Sequence, residues 1–190
     1  MECGMSYNKP LASTTNYGII KVGSGLAVTN GIVSTAGTGS GGDVGYFYSN
    51  LTQLNTLSIN TVTLSNTTLS QGITLTNNSR LNVSKSANYT LQVTLQFAKS
   101  TSAGAAAIGF FWLRKNGIDV ADSATDVITT GSGAGVVLAV NYTLPLLAGE
   151  YLQMVWSANT ANSELIAIPA QAGPPVIPAA PSVRMTLLQV

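Results

Sequence analysis

Seven acidic residues and no histidine narrow the chemistry open to this 190-residue chain. Hydrolytic triads and most acid–base sites rely on an imidazole that titrates near neutrality. Carboxylates alone can still act, since two of them facing one cleft cleave glycosidic bonds. The acids are Glu2, Asp43, Asp119, Asp122, Asp126, Glu150 and Glu164, and Asp119 and Glu164 are the ones to substitute in testing for such a pair. Asp119, Asp122 and Asp126 closely follow Asn116-Gly117 and read as a solvated loop. The alternative there is a weak calcium site, because hard cations take carboxylate oxygens, but the spacing is not that of an EF-hand. A single cysteine, Cys3, allows no intrachain disulfide and, without histidine, no usual zinc site. The expectation is a binding or structural protein with no catalytic residue, no metal and no cofactor.

Basic residues offer no phosphate-binding cluster. Lys9, Lys21, Arg80, Lys85, Lys99, Arg114, Lys115 and Arg184 are scattered, and the formal net charge is +1. Nucleic-acid binding needs grouped cations, so that class is set aside. Gly23-Ser-Gly25 and Gly37-Thr-Gly39-Ser-Gly41-Gly42 share glycine spacing with dinucleotide loops, but no helix follows them and they read as turn and linker. Six N-glycosylation sequons, at Asn50, Asn66, Asn77, Asn82, Asn88 and Asn141, read as products of an Asn-, Ser- and Thr-rich composition. The N-terminus carries no apolar core of a secretory signal, and no stretch approaches the roughly 18 apolar residues that span a bilayer.

Large aromatic rings are the remaining candidates for recognition. Phe110, Phe111, Trp112, Tyr151 and Trp156 lie in strongly apolar segments and read as core or oligomer-interface residues. Adjacent strand residues point to opposite faces. In Phe110-Phe111-Trp112 at least one ring must therefore leave its own sheet's core and, in an oligomer, meet a neighbour.

The elements that position these residues read as strands throughout. Residues 89–97, YTLQVTLQF, alternate strictly, with Tyr89, Leu91, Val93, Leu95 and Phe97 on one face and Thr90, Gln92, Thr94 and Gln96 on the other. Strands are expected at 107–115 and 118–120, joined by the type I′ hairpin signal Asn116-Gly117. Others are expected at 57–64, 79–84, 136–144, 151–157, 164–169 and 183–190, with a turn at Leu147-Ala-Gly-Glu150. The proline-rich 172–182 is a loop or edge, because proline lacks the N–H a central strand donates. Strand 183–190 is expected to close the sheet near its start. Short strands with regular turn signals and no helical period point to an all-β antiparallel sandwich.

Two parts are expected. Residues 1–45 form an N-terminal arm ending in a Gly-rich linker, and residues 46–190 form the head. Within the arm, Tyr17, Ile19, Ile20, Val22, Leu26 and Val28 are apolar pieces suited to attachment, with a hairpin signal at Asn30-Gly31. Only 8% of residues are charged, against a usual quarter. Charge normally keeps β surfaces apart, so a surface this neutral suits an oligomer or a particle component.

Tyr46-Phe47-Tyr48, the alternating 89–97 strand, Trp112-Leu-Arg-Lys-Asn-Gly117, Asn141-Tyr142, Leu147-Ala-Gly-Glu-Tyr151 with Met154-Val-Trp156, and the final hydrophobic strand follow one another in a familiar order. From about Tyr46 to Val190 the sequence resembles the C1q/TNF-like jelly-roll domains of phage virion proteins. The stretch YGIIKVGSGLAVTNGIVS is similar to short β elements of phage tail-fibre and collar proteins. The resemblance implies a homotrimer with an apolar threefold axis, located in the virion and partnered by baseplate, tail or capsid proteins. The role it implies is a short tail fibre or receptor-binding tip, contacting the host surface, with surface glycan as a candidate target. A capsid decoration (cement) protein at threefold sites is the alternative, which the shortness of the chain favours. A carbohydrate-active β-sandwich enzyme is a third reading.

Overall fold

The computed structural model describes residues 42–101, 105–130 and 135–190, together with the backbone of 26–29 and 32–35. The chain divides into two compact units, Met1–Gly41 and Gly42–Val190. In the first, β1 (Leu26–Thr29) and β2 (Ile32–Thr35) pair antiparallel, with Thr29 opposite Ile32. That register leaves two residues for the turn, the length an Asn-Gly hairpin needs. Tyr17, Ile19, Ile20 and Val22 lie outside the described residues, as do Asn30 and Gly31.

The described residues of the second unit form strands and connections. In chain order these are β3 (Val44–Ser49), β4 (Gln53–Leu54), β5 (Asn60–Thr61), β6 (Asn66–Gln71), β7 (Ile73–Thr76) and β8 (Arg80–Val83). There follow β9 (Ala87–Lys99), β10 (Ala107–Lys115), β11 (Ile118–Asp119), β12 (Thr125–Thr129) and β13 (Gly135–Leu146). The last three are β14 (Tyr151–Ala158), β15 (Ser163–Leu165) and β16 (Val183–Gln189). The first sheet runs β11-β10-β14-β8-β7, with β12 on β10 and β5 on β14. The second runs β4-β15-β9-β16-β3-β6, with β13 along the other edge of β9. Every pairing is antiparallel, and the two sheets form a jelly-roll sandwich.

Period-two alternation decides what each sheet buries. Val140, Val93, Met185 and Phe47 make one inward row across β13, β9, β16 and β3. Facing them, the first sheet contributes Phe111, Leu113, Leu152, Met154, Trp156, Leu81 and Ile73. At the centre Phe97 meets the edges of Phe111 and Trp156 at centroid distances of 5.9 and 6.5 Å, while Phe111 stacks on Trp156 at 6.2 Å. A side chain at Gly109 would collide with the Phe97 ring, so the glycine is what lets β10 lie this close to the opposite sheet.

Several expectations change. Of 57–64 only Asn60–Thr61 is strand; Val62 and Leu64 are buried, but their amides bond to Met154 O and Asn78 O outside any long ladder. Segment 164–169 shrinks to Ser163–Leu165, with Ile168 kept only as an isolated bridge to Ala180 in the proline-rich segment. Asp126 is a strand residue rather than loop, because β12 pairs with β10, while Asp119 falls in β11, inside the strand expected at 118–120. Val44 and Gly45, read as linker, are the first residues of β3. The final strand does close the sheet at its start, with Leu188 opposite Val44.

Candidate functional site

The outward face of the second sheet is a regular surface whose rows cross five strands. Its rows follow from the registers. Thr143, Thr90, Leu188, Val44 and Gln71 lie side by side across five strands. The next row is Asn141, Gln92, Thr186, Tyr46 and Leu69, and the next Ala139, Thr94, Arg184, Tyr48 and Asn66. Thr90 and Thr143 hydroxyls bond at 2.9 Å, and the Tyr46 and Tyr48 rings stack at 6.0 Å. In all three rows the one charged side chain is Arg184, which has no ion pair among the described residues.

The first sheet's outward face differs in kind. There β10 presents Phe110, Trp112 and Arg114, while Phe111, buried, points inward with Trp156. Phe110 is 46% exposed. It lies between Asp126 of β12 and Ser157 of β14, and Trp112 lies beside Val155. The Trp112 indole N–H donates to Asp119 Oδ1 at 2.8 Å, and Arg114 Nε donates to the same oxygen at 2.6 Å. Tyr151, half-buried, lies under the Arg80 guanidinium at 4.5 Å. The sequence-named aromatics therefore separate: Phe111 and Trp156 are core, and Phe110, Trp112 and Tyr151 look outward.

The two acids named for a catalytic pair lie on different sheets, Asp119 on the first and Glu164 on the second. Arg114, then the Trp112 indole, holds the Asp119 carboxyl below its ordinary pKa. Glu150 is held below its ordinary value chiefly by the Leu147 amide, with Lys115 and Asn116 adding to the same effect. A glycosidase acid needs the opposite shift. Among the described residues no group of three or more metal-ligating acids or cysteines occurs. No helix there is long and apolar enough to cross a membrane.

Asp43 was not singled out by sequence, yet it organises the end of the head where the linker arrives. Its side chain is 2% exposed and accepts Lys85 Nζ at 2.6 Å, Ser84 Oγ at 3.0 Å and Tyr89 OH at 3.3 Å. Lys85 is the main cause of its lowered pKa, and burial followed by Asp43 itself raises that of Tyr89. Its backbone is paired with Gln189 in both directions. Gly72, at φ 71°, leaves room for the carboxylate. No short-range signal marks partners 41 to 146 residues away.

No protein-family model matches this sequence, and no curated protein does. Among solved structures, one crystal structure of murine APRIL, at pH 8.5, aligns with a TM-score of 0.50 at 10% identity, over 78% of this chain and 98% of that one. Two others of murine APRIL, at pH 5.0 and pH 8.0, give 0.49 at 12% and 11% identity, over 78% of this chain and 99% and 98% of those. At such identity the likeness is one of fold, a TNF-like jelly roll.

Proposed function

We propose that the chain is a trimeric virion protein of a phage, a short tail fibre or receptor-binding tip whose N-terminal unit attaches to the particle and whose head contacts the host surface. The observation that carries self-association is the second sheet's outward face, five strands wide, with Arg184 alone charged in its three central rows. A face of Thr, Gln, Asn and Tyr can be covered by another copy with little charge to desolvate. The opposite face carries Arg80, Arg114, Asp119 and Asp126 and would remain toward solvent. The C1q/TNF-like resemblance supplies the trimer, and the tail-fibre-like stretch before the linker supplies the particle. Each weak contact of the head, repeated threefold, gains through effective concentration.

A capsid decoration protein is the second reading, favoured by the small N-terminal unit, whose described part is one hairpin. Two measurements test these assignments. Light scattering at micromolar concentration should give three times the monomer mass of 19.5 kDa, and a stable monomer would end the trimer reading. Immunogold labelling of particles with antibody to residues 46–190 should mark the tail. Label over the capsid would make it a decoration protein, and particles without label would end the virion reading.

A further inference from the structure

We propose that the first sheet's outward face around Phe110 and Trp112 is a binding site for a neutral pyranose sugar. The inference deepens the reading above and rests on it in one respect: covering the second sheet's face leaves this one open. Phe110 and Trp112 are two residues apart on one strand, so they stand on the same face about 7 Å apart. Phe110 is about half exposed, and its ring stands outside the core, open to a ligand. The Trp112 ring is held in place by its bond to Asp119, which Arg114 fixes in turn. Such preorganisation lowers the entropy lost when a ligand binds.

Electrostatic complementarity selects the ligand. Aromatic faces carry the negative end of a quadrupole and attract weakly positive C–H groups, which line one face of a pyranose ring. Hydroxyls at the ring edge are donors and need acceptors. Asp126, opposite Phe110 in register, is exposed and has no ion pair among the described residues. Ser157 flanks the other side. With Arg114 neutralised by Asp119, the charge left beside Phe110 is Asp126, which repels carboxylated or phosphorylated sugars. A flat protein surface laid over this face would strip water from Asp126 and from the Arg114–Asp119 pair without replacing it. A sugar leaves them partly hydrated and supplies hydroxyl donors.

The test uses the full chain, with neutral tetrasaccharides (cellotetraose, maltotetraose, chitotetraose) and a sialylated trisaccharide as probes, each at about 10 mM, above the millimolar Kd a two-ring site supports. Binding is read by tryptophan fluorescence and by ligand-observed NMR, with light scattering on every variant. At least one neutral probe should bind and shift the emission of Trp112, while the sialylated probe does not. Phe110→Ala should weaken binding about three- to tenfold, and Phe110→Ala with Trp112→Ala should abolish it. Asp126→Asn should admit the sialylated probe. Binding by none of the neutral probes overturns the proposal, as does binding that the double variant leaves unchanged. A fall in oligomeric state on Phe110→Ala also overturns it, because the ring would then be a contact between copies. A monomeric but sugar-binding unmodified chain would end the trimer reading and leave this site standing.

Discussion

Gly72→Ala should destabilise the head through two separable effects. The residue sits at φ 71°, where a Cβ costs about 1 kcal/mol. The added methyl would also occupy the space of the Asp43 carboxyl group. Expelling that carboxylate breaks its bonds to Lys85, Ser84 and Tyr89. Hydrogen bonds to a charged group contribute about 1.5–3 kcal/mol. Lys85 is half exposed and recovers water, and Tyr89 keeps its bond to Lys85 O, so a total near 2 kcal/mol is expected for the cluster. Together the effects reach about 3 kcal/mol, a fall in Tm of roughly 6–12 °C for a unit of this size. The decisive assay is a double-mutant cycle with Asp43→Ala, followed by urea unfolding on the fluorescence of buried Trp156. Once the carboxylate is gone, Gly72→Ala should cost only the backbone part, about 1 kcal/mol, leaving a coupling near 2 kcal/mol. Additivity within about 0.5 kcal/mol would show that Gly72 and Asp43 act independently and would refute the account.

Four further outcomes follow. The folded-state pKa of Asp43 lies below its ordinary value, so its contribution is present above about pH 4 and is lost as pH falls through the folded value; the Tm gap between the unmodified chain and Asp43→Asn should be full at neutral pH and narrow progressively as the pH is taken below about 4. Phe111→Ala opens a cavity between Phe97 and Trp156 and should cost about 3–5 kcal/mol in urea unfolding, whereas Phe110→Ala should change stability by under about 1 kcal/mol. Gly117→Ala, at φ 84° in the β10–β11 turn, should cost about 1 kcal/mol, because Asn116 at φ 51° and Gly117 both need the left-handed region of a type I′ turn. Asp119→Ala removes the acceptor of the Trp112 indole and should red-shift and broaden emission while leaving the buried Trp156 signal unchanged.

Where a strand carries its own alternation, the sequence shows it. Residues 107–115 and 151–157 are strands almost to the residue, and Asn116-Gly117 takes the positive φ angles its type implies. The polar edge strands Asn66–Gln71 and Ile73–Thr76 were not legible, because their alternation is between Thr, Ser and Leu and most of β6 is exposed. Residues 57–64 misled in the opposite sense: Val62 and Leu64 fill the core from a connection that borrows scattered amide partners. The polar face of the second sheet was half visible in Thr90, Gln92, Thr94 and Gln96. Its width was not, since it depends on which strands flank β9. Likewise the run Phe110-Phe111-Trp112 showed that at least one ring had to leave the core, but not which, and Asp126 beside Phe110 became visible only through the β10–β12 register.

The adjacency of the head's first and last strands has a mechanical consequence. β3 leaves the linker flanked on both sides by antiparallel partners, β16 and β6, and Asp43, just before it, is tied to Gln189 at the end of β16. A pull along β3 from residue 42 therefore loads two ladders in shear, so that many bonds must fail together rather than one after another. Survival under such a load depends on the rate of unfolding rather than on the equilibrium free energy. A head held by its linker in this way can resist tension out of proportion to the stability measured in urea.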